Sequence, residues 1–503
     1  MQNVFGSFLE IIVILLFTCG VFNLIICIVM KIKKQLKMAL VGCFIHLGSS
    51  LGFSAVHHVA KEGSDDNPGT LAMPWLTVQH AADQVTAGDR VVIQAGTYSE
   101  RVSMSRGGTP DQPIVFESDQ YEEGSVNDDV SVGGFLVMDE WIEIRGLTLH
   151  GEGVPAYQGL LTVGNDSANN LVASDLKFSP TQGGRDGNGS KLYCFYIHAD
   201  ITGVNGVILR RSTFEGFKYV VICISGVGHV VEDCLIQGPG LADAEGEYSE
   251  TDAMRMFGRD HIVRHNVVRD FTGGGHPDLF QTFSINGRSS FDMLIEQNTF
   301  INCEAQLGMF EDQEGLGGIR NWVFRNNVFM DISMQANVYG TGFEFYNNTF
   351  YRCTQNTGHP LLFRSAVGTR GRADDCKVYN NIFFKCGRDP GNAIQGWYSV
   401  DAEVTGFVTD HNIVIGEGAG LGKTGFSEVN GINGQDPKFV DGAAGDLRLA
   451  AESPCIGTAR VFTELFTTDR AGTRREELWD IGAFELNGLP RPGRPTGLRI
   501  EEP

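Results

Sequence analysis

Six asparagines recur along the second half of this chain in near-copies of one phrase. The copies are His265-Asn266-Val267-Val268, Gln297-Asn298-Thr299-Phe300, Asn326-Asn327-Val328-Phe329, Asn347-Asn348-Thr349-Phe350, Asn380-Asn381-Ile382-Phe383 and His411-Asn412-Ile413-Val414. They are spaced by 32, 29, 21, 33 and 31 residues. Self-similarity at such a period marks a solenoid, in which each repeat buries its apolar face only against its neighbours. The flanking alternation, as in Val323-Phe324-Arg325-Asn326-Asn327-Val328-Phe329, has the period of a strand rather than a helix. One short strand pair per repeat, turning at an asparagine, reads as a coil of a right-handed parallel β-helix, an all-β fold. Asparagine tolerates the left-handed backbone such a corner requires. Stacked coils also let each side-chain amide bond the one above and below it.

The frame extends backwards through Arg211-Ser212-Thr213-Phe214 and Glu232-Asp233-Cys234-Leu235. Five residues past each corner stand Phe217, Gly238, Phe271, Cys303, Ile332, Cys353 and Cys386. That column is mostly apolar and is expected to point into the bore. Cys353 and Cys386 take the same position on successive coils, at roughly 4.8 Å spacing, so a disulfide is geometrically open. A stack of buried thiols acting as small hydrophobes is the preferred reading. No Cys-x-x-Cys pair occurs among the 11 cysteines, which argues against a thiolate zinc site.

Charge narrows the partners. The formal net charge is −22, and because residues 1–55 carry only Glu10 against Lys31, Lys33, Lys34 and Lys37, the remainder stands at −25. Such a surface repels nucleic acid and anionic lipid. It also repels a polyanionic glycan unless arginine or a bound cation sits in the cleft. The N-terminus is apolar: residues 11–30 are long enough to span a bilayer. Read from Met30, however, the basic Lys31–Lys37 stretch, the apolar stretch from Met38 and the small residues at 52–55 form a secretory signal. The expected layout is a doubtful extension or membrane anchor at 1–29, a signal peptide at 30–55, an N-terminal cap and first strands at 56–102, coils at 103–440, a closing segment at 441–488 and a flexible tail at 489–503. Either reading of the N-terminus puts the mature protein outside the cytoplasm: secreted, periplasmic or on the cell surface. It is expected to be a monomer with no membrane partner unless 11–30 is a true anchor.

Val78, Ala81, Ala82 and Val85 fall on one helical face, giving a short helix to cover the open end of the solenoid. They lie in a segment running from Lys61-Glu62-Gly63 through Pro74-Trp75-Leu76 to Ala95-Gly96-Thr97-Tyr98. It resembles the N-terminal cap of bacterial right-handed β-helix proteins of the pectate-lyase-like superfamily. Asp436-Pro437-Lys438-Phe439, Gly445-Asp446-Leu447, Ser453-Pro454-Cys455-Ile456 and Asp480-Ile481-Gly482-Ala483-Phe484-Glu485 are similar to the closing segment of the same proteins. The resemblance covers about residues 60–485 and implies the fold. It does not name a reaction, because the superfamily hosts lyases, hydrolases, epimerases and non-catalytic adhesins.

On a solenoid an active site is a column. Thr251-Asp252-Ala253-Met254-Arg255, Pro277-Asp278-Leu279-Phe280-Gln281 and Ala305-Gln306-Leu307-Gly308-Met309 align as successive coils. In this register Asp252, Asp278 and Gln306 form one column, and Arg255 and Gln281 begin a second that Met309 closes. His276 precedes Asp278 after Gly273-Gly274-Gly275, and Glu311 and Asp312 end the third segment. The insertion at 238–250 is expected to wall the cleft, with Tyr248 placed to stack on a sugar; Trp322 and Tyr339 are alternatives. Three chemistries follow. Asp252, Asp278 and Asp312 can hold Ca²⁺, which would neutralise a uronate while Arg255 or His276 moves the proton of a β-elimination. Asp252 and Asp278 can instead be the acid/base pair of a glycoside hydrolase. Or the cluster only binds sugar, or is a structural ladder. Gln281, Tyr248, Gln306 and Glu311 are the substrate-binding candidates. The paired-aspartate phrases of polygalacturonases, the Lys/Arg pairing of chondroitinase-B-like lyases and the Asp-Pro-His-Glu phrase of mannuronan epimerases are missing. The leading expectation is a lyase acting on an acidic extracellular polysaccharide.

Overall fold

The computed structural model describes residues 54–155, 157–180, 192–217, 219–239, 250–272, 274–354, 359–387, 398–401, 403–415, 428–432 and 434–486. The expected anchor, signal peptide and tail, with Tyr248, lie outside the described residues.

The chain winds as a parallel β-solenoid. One sheet contains 14 described strands and a second path of 19 supplies the other faces. A typical coil runs through Ser290–Glu296 and Thr299–Glu311. The next coil repeats it as Ile319–Arg325 and Val328–Tyr339, each strand parallel and in register with its predecessor. Successive coils therefore place like residues in line. Phe300, Phe329, Phe350 and Phe383 stack with ring centroids 4.9, 4.8 and 4.6 Å apart. The bore column holds: Phe217, Phe271, Cys303, Ile332, Cys353 and Cys386 belong to one buried core. All eight described cysteines are free and buried.

The asparagine ladder is continuous. Asn298 Oδ1 accepts from the backbone N–H of Asn266 at 2.9 Å and from its Nδ2 at 3.0 Å. The pattern repeats through Asn327, Asn348, Asn381 and Asn412. All six are fully buried, and the ladder supplies the partners that buried amides require. One expectation is corrected. The left-handed residue is the one before each ladder asparagine: His265, Gln297, Asn326, Asn347, Asn380 and His411 have φ between 49° and 60°. The preceding residue makes the turn, and the ladder residue then lays its amide beneath it.

The cap helix spans Val78–Gln84, with the Thr77 side chain accepting from the His80 N–H at 3.1 Å. Val78, Ala81, Ala82 and Val85 enter the common core. At the other end the expected closing segment does something different. It lies along the outside of the last coils as a strap. Leu447, Leu449, Ile481 and Ala483 pack on Val328, Ile382 and Ile413. The left-handed corner residues hold it: Asn326 donates to Thr468 O at 2.9 Å, Asn347 to Asp480 O at 2.9 Å and Asn380 to Arg460 O at 2.8 Å. Arg475, with its side chain fully buried, pairs with Glu485 and donates to Asn326 Oδ1 at 2.7 Å.

Candidate active site

The aligned register is present in space. Asp252 pairs with Asp278 and Asp278 with Gln306; Arg255 pairs with Gln281 and Gln281 with Met309. The strands that carry them are Glu250–Met256, Gly274–Phe283 and Thr299–Glu311. Met309 does not close the second column, which continues to Asn337. The Asn337 amide donates to Gln306 Oε1 at 3.2 Å, and Arg364 donates to Asn337 Oδ1 at 2.9 Å.

The two aspartates sit in different environments. Asp252 is fully buried and its charge is balanced locally: Arg255 Nε lies 2.5 Å from Oδ2, and the Asp278 N–H donates to Oδ1 at 3.2 Å. Arg255 also donates to the Tyr219 hydroxyl at 3.2 Å, with its guanidinium 5.4 Å from that ring's centroid. Asp278 is 1 % exposed and forms no salt bridge among the described residues. Gln281 donates to its Oδ2 at 3.3 Å, whereas Oδ1 is buried without a hydrogen-bond partner. Burial, and then the charge of Asp252, push its pKa up to about 9, against the pull of Arg255. Asp278 is thus a carboxylic acid held protonated at neutral pH, one coil, or roughly 4.8 Å, from a carboxylate held by an arginine. Two carboxyls driven apart in this way are the usual basis for dividing acid and base roles.

The other candidates do not join this pair. Glu311 is held by Arg370 at 2.8 Å and Gln313 at 2.9 Å, and it reaches Asp278 only through its charge. Asp312 is buried. It accepts from the Ser284 hydroxyl at 2.6 Å and the Gly317 N–H at 2.8 Å, six residues beyond the Asp278–Gln306 level. The expected Ca²⁺ set of Asp252, Asp278 and Asp312 therefore does not converge. Among the described residues, no group of three or more His, Cys, Asp or Glu is placed to hold a metal. The described donors do not fit the ion. His276 lies on the Asp278 strand, but its side chain is outside the description. Trp322 is fully buried and bonded to Ser290 O, so it belongs to the core. Tyr219, Asn337 and Arg364 were not read from the sequence. They come from coils without a shared phrase, and only continuing the Arg255–Gln281 column by one more coil finds Asn337.

The family described as right-handed β-helix region matches residues 198–383. An uncharacterised protein of Bacillus subtilis, YwoF, is 34% identical over 103 residues, 20% of this chain and 21% of that protein. Pectate lyase PEL9 of Emericella nidulans is 37% identical over 71 residues, 14% of this chain and 17% of that enzyme. Both alignments thus span about a fifth of the relative's length or less. Among solved structures, that of XylC in complex with xylose superposes with a TM-score of 0.54 at 14% identity, covering 86% of this chain and 98% of that one. At that identity the likeness is one of fold. Together with the parallel register of the coils, these matches identify the chain as a right-handed parallel β-helix protein.

Proposed function

We propose that this protein is an exported carbohydrate-active enzyme that cleaves a polysaccharide by acid/base chemistry on Asp278 and Asp252. The observation that carries the proposal is the buried Asp278, its pKa pushed up by burial and the charge of Asp252, one coil from the arginine-paired Asp252. Asp278 would donate the proton to the departing glycosidic oxygen. Asp252, oriented by Arg255 and the Asp278 N–H, would attack the anomeric carbon as the bond to that oxygen breaks, and water deprotonated by Asp278 would then release the sugar from Asp252. The coil spacing of roughly 4.8 Å is near the separation of about 5–5.5 Å that retaining glycosidases use. Gln281, bonded to Asp278 at 3.3 Å, would exchange that hydrogen bond for the substrate's on binding, and Gln306 and Asn337 continue the two columns on later coils. The balance thereby moves from elimination to hydrolysis. Arg255 is bonded to Asp252; burial lowers its pKa, but the charges of Asp252 and Tyr219 and the bond to Asp252 raise it on balance, which makes it a poor base for the proton beside a uronate carboxylate. The chain's similarity over 71 residues to a pectate lyase keeps elimination of an acidic glycan as the second reading. The burial of both carboxyls at 0 % and 1 % exposure favours a third, a non-catalytic glycan-binding protein. Turnover by the wild-type protein that vanishes in Asp278→Asn establishes the enzyme. Glycan binding that survives this substitution, with no turnover by either form, makes it a binding protein.

A further inference from the structure

A cleft lies in the N-terminal half of the solenoid, lined by Thr97, Ser131, Thr148 and Lys177. Its volume is about 470 Å³, against about 390 Å³ for the corner cavity around Ser225. It is built on regular strands. Thr97, Ser131, Thr148 and Lys177 occupy one outward column, paired coil to coil. Ser179 and His150, each two residues further along its strand, line the same cleft.

The same column changes character along the molecule. After Thr213 it continues as Leu235, Val267, Thr299, Val328 and Thr349 to Ile382. From Thr299 onward the C-terminal strap engages it: Arg470 donates to Thr299 Oγ1 at 2.7 Å, the Ala483 N–H donates to Thr349 Oγ1 at 3.1 Å, and the strap's apolar side chains cover Val328 and Ile382. The polar half carries no such cover among the described residues. Among the described residues, the face thus divides into a stretch engaged by the strap, from Thr299 onward, and a hydroxyl-bearing stretch without such cover.

We infer that this open cleft is a second, non-catalytic carbohydrate site, which holds a neutral glycan chain along the solenoid axis. Parallel coils offer it one hydroxyl-bearing position per roughly 4.8 Å, on rigid strands whose spacing costs nothing to organise. Lys177 does not present a free cation. It lies 3.1 Å from Glu215 and 3.5 Å from Asp128, and the Ser179 hydroxyl bonds Glu215 at 3.3 Å. Glu152 adds a further negative charge at the rim, and burial keeps the His150 pKa below its ordinary value. Acidic groups outnumber cations around the cleft, so a polyanion is repelled while sugar hydroxyls find both donors and acceptors. The site shares no residue with the Asp252–Asp278 groove, and the inference does not need that groove to be catalytic.

The test is affinity electrophoresis of the full chain through arabinoxylan, galactomannan, mixed-linkage glucan, pectate and alginate. We expect at least one neutral glycan to retard the protein, and to retard Asp278→Asn equally. Thr148→Trp, which fills the cleft, and Lys177→Gln, which removes its central donor, should each weaken retardation about tenfold without moving the melting temperature. If Thr148→Trp fails to fold, Lys177→Gln decides alone. Retardation by no neutral glycan, retardation unchanged in the variants, or retardation by pectate or alginate alone overturns the inference. Loss of turnover in Asp278→Asn is read separately, so failure of the cleft and failure of the catalytic proposal are distinguishable.

Discussion

The backbone N–H of Asp278 donates to the carboxylate of Asp252 on the preceding coil, at 3.2 Å. One aspartate therefore helps to fix the other's position, while its own carboxyl is bonded by the neutral Gln281. This relationship follows from parallel stacking in register: a coil-to-coil repeat of Asp at one position forces two like charges together, and burial makes one of them take a proton.

Asp278→Asn should lower turnover by ~10²–10⁴-fold while the circular dichroism spectrum is unchanged. It should also make the protein more stable at neutral pH. The folded pKa of Asp278 is raised from 3.8 to about 9, so between those values the folded state holds a proton the unfolded chain has lost. Stability is then greatest at low pH and falls as pH rises through that window. Asparagine removes this dependence, and thermal melts of both proteins from pH 5 to 9 should diverge as pH rises. Parallel melting curves would count against a protonated Asp278.

Arg255→Ala strands the buried Asp252 charge and should cost about 3–5 kcal/mol in urea denaturation. Adding Asp252→Ala to it should recover a large part of the loss, because the uncompensated charge is then gone. Equal losses in the single and double variants would show that packing, not charge, is at stake.

Asn327 accepts from Asn298 and donates to Ile295 O at 2.8 Å and to Asn348 at 3.0 Å. Asn327→Ala leaves several buried groups unpaired and should cost roughly 3 kcal/mol. Asn326→Ala, one residue earlier, loses the bonds to Thr468 and Arg475 instead. It should loosen the strap, read as faster amide hydrogen exchange confined to the strap.

His229 and His261 form a shorter buried ladder, their rings stacked 4.7 Å apart. Each accepts a backbone N–H at Nδ1, from Val207 and His229 respectively, and bonds a carbonyl through Nε2, which requires the neutral ring. Burial lowers their pKa values to about 4 and about 3 from 6.5. Their contribution is complete above pH 6.5 and is lost as pH falls toward 4, where the unfolded chain has already taken up the protons. Replacing both with asparagine should flatten the urea midpoint between pH 6.5 and 4 relative to wild type; identical slopes would contradict this.

The fold was legible because a solenoid writes its contacts into sequence at fixed spacing. The ladder, the bore column, the cap helix and the Asp252–Asp278–Gln306 register all follow from local phrases. The left-handed residue was misplaced by one, since both residues of Asn326-Asn327 suit a turn and only the buried ladder tells them apart. The path of the closing segment was not legible, because its contacts, such as Arg475 to Asn326, join positions 149 residues apart with no repeat to announce them. Asp312 was misread for a similar reason: its partners Ser284 and Gly317 are set by a corner, not by a column.

The most direct measurement follows reducing ends and the ultraviolet absorbance of unsaturated uronate together, across acidic and neutral polysaccharides, for wild type and Asp278→Asn. We predict reducing ends that rise without the absorbance for wild type, and neither signal for the variant. Absorbance rising with the reducing ends, or turnover that survives in Asp278→Asn, would contradict acid/base hydrolysis by this pair.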